Sequence, residues 1–134
     1  MSIESLHHCA IRTLRLEETK DFYESLGLFA GERPPFPFPG YWMYAGEQPV
    51  VHLVGIDQEN PDGLYGYLGK EQLPFDDGSG AVDHLAFRAS NADALKEILK
   101  DRKIEYRERE VPDMKLFQIF VEDPNGVTVE LNYW

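Results

Sequence analysis

Apolar positions along this chain switch between a strand-like and a helix-like spacing, and they do so in the same order twice. Leu6 to Arg12 has the apolar-rich character of a β-strand, and Leu16 to Leu26 then places Thr19, Phe22, Tyr23 and Leu26 at helical intervals. Gly27 stops that helix, because glycine takes the left-handed conformation without a Cβ clash. Tyr41–Ala45 and Val50–Val54 read as strands joined through Gly46-Glu47-Gln48-Pro49. In the second half, Val82 to Arg88 leads to Ser90, placed to cap a helix with Asp93 in a capping-box position, and Leu95, Ile98 and Leu99 supply the buried stripe. Phe117–Glu122 and Val127–Tyr133 flank Asp123-Pro124-Asn125-Gly126, where Asn-Gly between apolar runs is a strong hairpin signal. The order predicts an α+β fold in which two βαβββ modules lay their sheets side by side into a curved, incomplete barrel.

Two stretches break the pattern. Arg33-Pro34-Pro35-Phe36-Pro37-Phe38-Pro39-Gly40 is too proline-rich for helix and reads as a stiff loop whose phenylalanines can cover a pocket. Gly55 to Gly80 is rich in Gly, Pro and Asp, yet carries Leu64, Tyr65, Tyr67, Leu68, Leu73 and Phe75, so it is expected to pack against a domain or a second subunit rather than hang free. The expected layout is one domain over residues 1–134, with module one at about 1–55, the connector at about 56–80 and module two at about 81–134.

Composition narrows the function. With 134 residues, 43% of them apolar, the chain can build a core without disulfide or zinc staples. Twenty-four acidic against thirteen basic side chains give a formal charge of -11, which repels nucleic-acid phosphates and anionic lipid surfaces. No apolar run approaches the roughly 20 residues a membrane span needs. The lone Cys9 and an N-terminus without a signal-peptide pattern suggest a cytoplasmic protein. No phosphate-cradling glycine loop and no nucleophile motif is present, which disfavours metal-free nucleophilic catalysis.

The repeat also carries chemistry. Leu6-His7-His8-Cys9-Ala10-Ile11-Arg12 returns as Val82-Asp83-His84-Leu85-Ala86-Phe87-Arg88, matching His8 with His84 and Arg12 with Arg88. Val50-Val51-His52-Leu53-Val54 likewise matches Thr128-Val129-Glu130-Leu131-Asn132, setting His52 opposite Glu130. Imidazole and carboxylate are common ligands of divalent metals, and a duplicated scaffold offering two from each copy can close a shell around one ion. Strand alternation then makes His7 and His8 point in opposite directions, and the repeat selects His8 for the site. Arg12 and Arg88 share the faces of their histidines and suit the anionic part of a substrate, with pairing to surface carboxylates as the plain alternative. Glu130, between Val129 and Leu131, needs a cationic partner, because an unpaired buried carboxylate costs several kcal/mol. That partner is a metal, or else Arg12 or Arg88 at an exposed edge. Trp42 and Tyr44 share a strand face and can line the cavity with Phe36 and Phe38, although Phe22, Tyr23, Trp42, Tyr44, Phe87 and Phe120 all also suit a core. Cys9 alternates away from His8 and suits a small buried apolar residue.

These residues resemble the vicinal oxygen chelate superfamily, which includes glyoxalase I, methylmalonyl-CoA epimerase, extradiol dioxygenases, fosfomycin-resistance transferases and bleomycin-binding proteins. The most specific pieces are Leu6-His7-His8, Phe22-Tyr23, Leu26-Gly27-Leu28, Val82 to Phe87, and Phe120 to Gly126 leading into Val129-Glu130-Leu131. The resemblance implies paired βαβββ modules, a homodimer, and one divalent metal ion (iron, zinc, nickel, manganese or cobalt) held by His8, His84 and Glu130. His52 falls where the occupant varies among families, and glyoxalase I typically has glutamate there; Arg12 resembles the arginine with which that family holds glutathione.

Three functions follow as expectations. The first is a metal-dependent lyase or isomerase resembling glyoxalase I, stabilising the enediolate of a small oxygen-chelating substrate, with Glu130 or His52 moving the proton. The second is an extradiol-type dioxygenase, in which His8, His84 and Glu130 form a facial triad on Fe(II). The third is a metal-free binding protein like the bleomycin binders, its acidic surface attracting cationic drugs.

Overall fold

The structure, a computed structural model, describes residues 4–57, 59, 78, 82 and 84–134. It divides into two units, Met1–Pro74 and Phe75–Trp134. The first contains β1 (Cys9–Thr13), α1 (Leu16–Ser25), β2 (Phe29–Gly31), β3 (Gly40–Ala45) and β4 (Gln48–Gly55). In the second are β5 (His84–Arg88), α2 (Ala92–Asp101), β6 (Tyr106–Val111), a 3₁₀ turn at Pro112–Met114, β7 (Leu116–Glu122) and β8 (Thr128–Tyr133). Each unit is therefore one βαβββ module, and together they make the α+β fold that the alternating periods predict.

Both sheets are open and share one topology, β1-β4-β3-β2 and β5-β8-β7-β6. In each, the first strand pairs in parallel with the last, and the remaining pairs are antiparallel. One face of the first sheet packs under α1, with Ile11, Met43, Val51 and Leu53 buried against Phe22 and Tyr23. The second buries Ile119, Val121, Val129 and Leu131 on the side of Leu95 and Leu99. Full burial of each such side chain contributes about 1.5–3 kcal/mol. The opposite faces keep the polar members of the alternation and are where the site residues stand.

Helix α1 ends as the glycine predicts. Gly27 has φ 108°, its N–H donates to the Glu24 carbonyl at 3.1 Å, and the Leu28 N–H reaches back to the Tyr23 carbonyl at 3.1 Å. That pair of bonds is the Schellman motif. At α2 the expectation fails by one residue: Asn91, not Ser90, is the cap, in the left-handed region with φ 61°, its side chain accepting from the Ala94 N–H at 3.3 Å. Asn tolerates that backbone and reaches the free N–H, whereas Ser90 lies one residue too early. Leu95 and Leu99 are buried as expected, but Ile98 is 38% exposed.

Other boundaries shift too. The first hairpin turns at Gly46-Glu47, since Ala45 pairs with Gln48, and Pro49 belongs to β4 opposite Tyr44 beside a register shift. At the second, the Asp123 carboxylate accepts from the N–H groups of Asn125 at 2.7 Å and Val127 at 2.9 Å, fixing the turn that launches β8. Strands β2 and β6 stood out in no apolar pattern: β2 is wholly exposed, and β6 reads Tyr-Arg-Glu-Arg-Glu-Val. Most of the connector, including its apolar residues, lies outside the described residues. No helix among the described residues is long and apolar enough to cross a membrane.

Replacing Asn91 by alanine should lower stability in urea unfolding by about 1 kcal/mol, the usual value of such a cap. Replacing Ser90 by alanine should leave the midpoint unchanged.

Candidate functional site

The first unit gathers His8, His52 and Trp42. Parallel pairing sets His52 opposite Ala10, and antiparallel pairing sets Trp42 opposite His52, so these two occupy the sheet face away from α1, where His8, just before β1, joins them through its ring. The rings form a stack: His8 on His52 with centroids 3.8 Å apart, and His52 on Trp42 at 4.2 Å, both tilted by 12°. His52 Nε2 is buried and has no hydrogen-bond partner among the described residues. Burial, then the neighbouring His8, lowers the pKa of His52 below 6.5, while the Pro49 backbone, whose only hydrogen-bonding group is its carbonyl, acts to raise it. A ring backed on one side by a carbonyl, with a bare nitrogen on the other, is the form in which imidazole binds a metal.

His7 corrects the alternation argument. Residues 4–8 precede β1, so strand geometry does not send His7 to the far side; its Nδ1 lies 2.8 Å from Nδ1 of His8, with the rings edge to face.

In the second unit His84 and Glu130 stand on adjacent strands, with Ala86 directly opposite Glu130. His84 Nε2 is 4.0 Å from Glu130 Oε2, the imidazole side chain 39% and the carboxylate side chain 14% exposed. Two amides hold the carboxylate: Gln118 Nε2 donates to Oε1 at 3.1 Å and Asn132 Nδ2 to Oε2 at 3.0 Å. Gln118 also donates to Asn132 Oδ1 at 2.9 Å, tying β7 to β8 behind the acid. Because β8 lies between β5 and β7, Glu130 is not at an edge. Arg88 shares the exposed face of β5 with His84 and places its guanidinium 4.7 Å from the centre of the Trp134 ring. Arg12, on β1, is half-buried on the face of Ala10.

The candidate ligands thus stand as two pairs, His8 with His52 and His84 with Glu130, and among the described residues no group of three or more His, Cys, Asp or Glu side chains is placed to hold a metal ion. Imidazole nitrogens plus one carboxylate suit a borderline divalent cation, and the bare Nε2 of His52 fits that use.

Beside the stack lies a cavity of about 490 Å³ lined by Glu32, Arg33, Pro34, Trp42 and Tyr44. Phe36 and Phe38 are parallel with centroids 5.3 Å apart, and Phe36 leans on Trp42 at 6.1 Å. Tyr44 donates its hydroxyl to the Glu32 carbonyl at 2.8 Å. In the second unit Ile104, Tyr106, Arg107, Phe120 and Thr128 line a cavity of about 680 Å³. Of the aromatics that suit a core, Phe22 and Tyr23 are buried, while Trp42, Tyr44, Phe87 and Phe120 are half-buried. Sequence reasoning missed Gln118, Asn132 and Arg33. The available signal for the first two was a polar residue alternating with apolar neighbours in β7 and β8.

The sequence matches the Glyoxalase/Bleomycin resistance protein/Dioxygenase superfamily over residues 5–131. Among solved structures it resembles a glyoxalase family protein from Bacillus anthracis, at 22% identity and TM-score 0.69 over 99% of this chain and 97% of that one. A lactoylglutathione lyase from Agrobacterium tumefaciens is similar at 17% identity and TM-score 0.64, over 99% and 96%. A glyoxalase family protein from Enterococcus faecalis gives 23% and 0.63, over 98% and 99%. No curated protein matches the sequence.

The lowered pKa of His52 has a stability consequence in metal-free protein. The unfolded chain takes up the proton near pH 6.5 and the folded chain only below that, so stability falls as pH drops through 6.5 and levels off beneath the folded value. Urea midpoints measured from about pH 7 to about pH 5 should fall more steeply for the parent than for His52→Gln.

Proposed function

Since the chain belongs to the Glyoxalase/Bleomycin resistance protein/Dioxygenase superfamily, we propose that it is a divalent-metal-dependent lyase or isomerase resembling glyoxalase I, acting on a small substrate with two adjacent oxygens. His8 and His52 of the first unit and His84 and Glu130 of the second hold the ion, in a homodimer. The observation that carries this reading is the buried, unpartnered Nε2 of His52, a lone pair withdrawn from water that only a cation or a donor can satisfy. The matching of His52 with Glu130 in the internal repeat supports it.

Bound there, the ion supplies Lewis acidity toward negative charge developing on the two oxygens of an enediolate. The protein contributes position and proton transfer. Glu130 takes the proton beside the carbonyl and returns it to the neighbouring carbon, and the amides of Gln118 and Asn132 fix the direction of its oxygens. His52, kept neutral by burial and clamped between His8 and Trp42, serves as a ligand rather than as the base. Trp42 and Tyr44 exclude water from one side of the substrate.

Protein isolated without added metal should contain about one nickel, zinc, cobalt or manganese per chain. It should exchange the α-hydrogen of 2-hydroxycarbonyl compounds, or of their thiol adducts, with solvent deuterium. Glu130→Gln should weaken metal binding and, measured at saturating metal, should still lower that exchange by at least about a hundredfold, as loss of a general base does. His84→Ala should lose the metal. Stoichiometric iron with oxygen uptake on catechols would favour the extradiol dioxygenase instead, and protein that retains no metal yet binds cationic drugs would favour a sequestering role.

A further inference from the structure

We propose that Arg33 is an anion-holding residue of the first-unit cavity, receiving the carboxylate or phosphate group of a ligand whose flat body lies against Trp42 and Tyr44. This extends the reading above by naming the class of substrate, a planar organic oxyanion.

Four observations carry it. First, the Arg33 guanidinium lacks a counter-charge: Nη2 donates to the Phe38 carbonyl at 2.7 Å, Cζ stands 5.1 Å from the centres of both the Phe36 and Phe38 rings, and among the described residues no carboxylate pairs with it. Burial lowers its pKa from the usual value, so its charge is held at a cost, and most of its five donors are unspent. Second, it lines an open surface depression of about 490 Å³, against which a small flat ligand can lie. Third, the wall beside it is aromatic, and Trp42 lies over His52. Fourth, the backbone makes room for both features. A Cβ on Gly40 would stand 3.1 Å from Arg33 Nη2 and collide with the Leu53 carbonyl, and one on Gly31 would stand 2.6 Å from the Tyr44 ring.

A guanidinium fork against aromatic faces recognises a planar oxyanion attached to an apolar body better than an ammonium would. The formal charge of -11 argues against general attraction of anions, but exposed acidic groups beyond the Debye length of about 8 Å are screened, and a half-buried cation dominates its own pocket. Glu32 also lines the cavity, with its side chain exposed and its carbonyl engaged by Tyr44.

The test uses metal-free protein, so that it reads Arg33 whether or not the metal-dependent reading survives. Calorimetric titration with 2-naphthoate, 2-naphthyl phosphate and uncharged 2-naphthamide should show the anions binding more tightly than the amide; the stronger of the two anions identifies the head group. In Arg33→Gln the anions should weaken by about tenfold or more, the worth of a charge-assisted hydrogen bond, while the amide is unaffected. Arg33→Lys should recover only part of the loss, and Gly31→Ala should weaken all three probes by shifting Tyr44. Equal loss of charged and uncharged probes in Arg33→Gln would make the residue a strap for the Phe36–Phe38 loop and overturn the proposal. Unchanged anion binding in that variant, or no binding of any probe to the parent, would overturn it equally.

Discussion

The site depends on parallel pairing between the first and last strand of each module. That ladder places Ala10 opposite His52 and Ala86 opposite Glu130, so His84 and Glu130 come from adjacent strands, while His8 meets His52 from the residue just before β1. Adjacent strands lie about 4.8 Å apart, close enough for two side chains to address one atom. The residue across from His52 and from Glu130 is alanine in both modules, so no long side chain competes for the strand position beside either group. A slip of one residue would turn all of these groups into the apolar layer against the helices.

The two modules treat their second donor differently. His52 is left with a bare nitrogen inside a stack of aromatic rings, whereas the Glu130 carboxylate is met by two amides and approached by His84. Neutral donors fix a carboxylate's orientation without cancelling its charge, which preserves its value as a ligand or a base. The unsatisfied imidazole is the costlier element, since a buried acceptor without a partner lowers stability by about 1–3 kcal/mol. Groups of that kind persist where function requires them.

Much of this was legible in the sequence because it rests on local patterns repeated twice. The helical stripe Thr19, Phe22, Tyr23 and the turns at Gly27 and Asp123 to Gly126 are set by neighbours in sequence, and these settled where they were expected. The duplication singled out His8, His52, His84 and Glu130 as candidates, and the structure brings His8 to His52 and His84 to Glu130. What escaped depends on partners far along the chain or on charge without periodicity. Strand β6 is an edge whose alternating Arg and Glu protect it from mispairing, and so it reads as solvent-exposed chain. Gln118 matters only because antiparallel pairing sets it beside Asn132, and Arg33 because its loop folds the guanidinium over two phenyl rings. His7 was misjudged because alternation was extended past the start of β1.

Gly31 and Gly40 sit on neighbouring strands, and the Tyr44 ring and the Arg33 guanidinium stand as close to the backbone as they do because neither glycine carries a Cβ. A wall that leans on a bare backbone can be pushed aside by one carbon, with no donor, acceptor or charge altered. Ligand range in proteins built this way can therefore drift through changes at small, chemically silent positions, while the polar machinery stays the same and gives no sign that selectivity has moved.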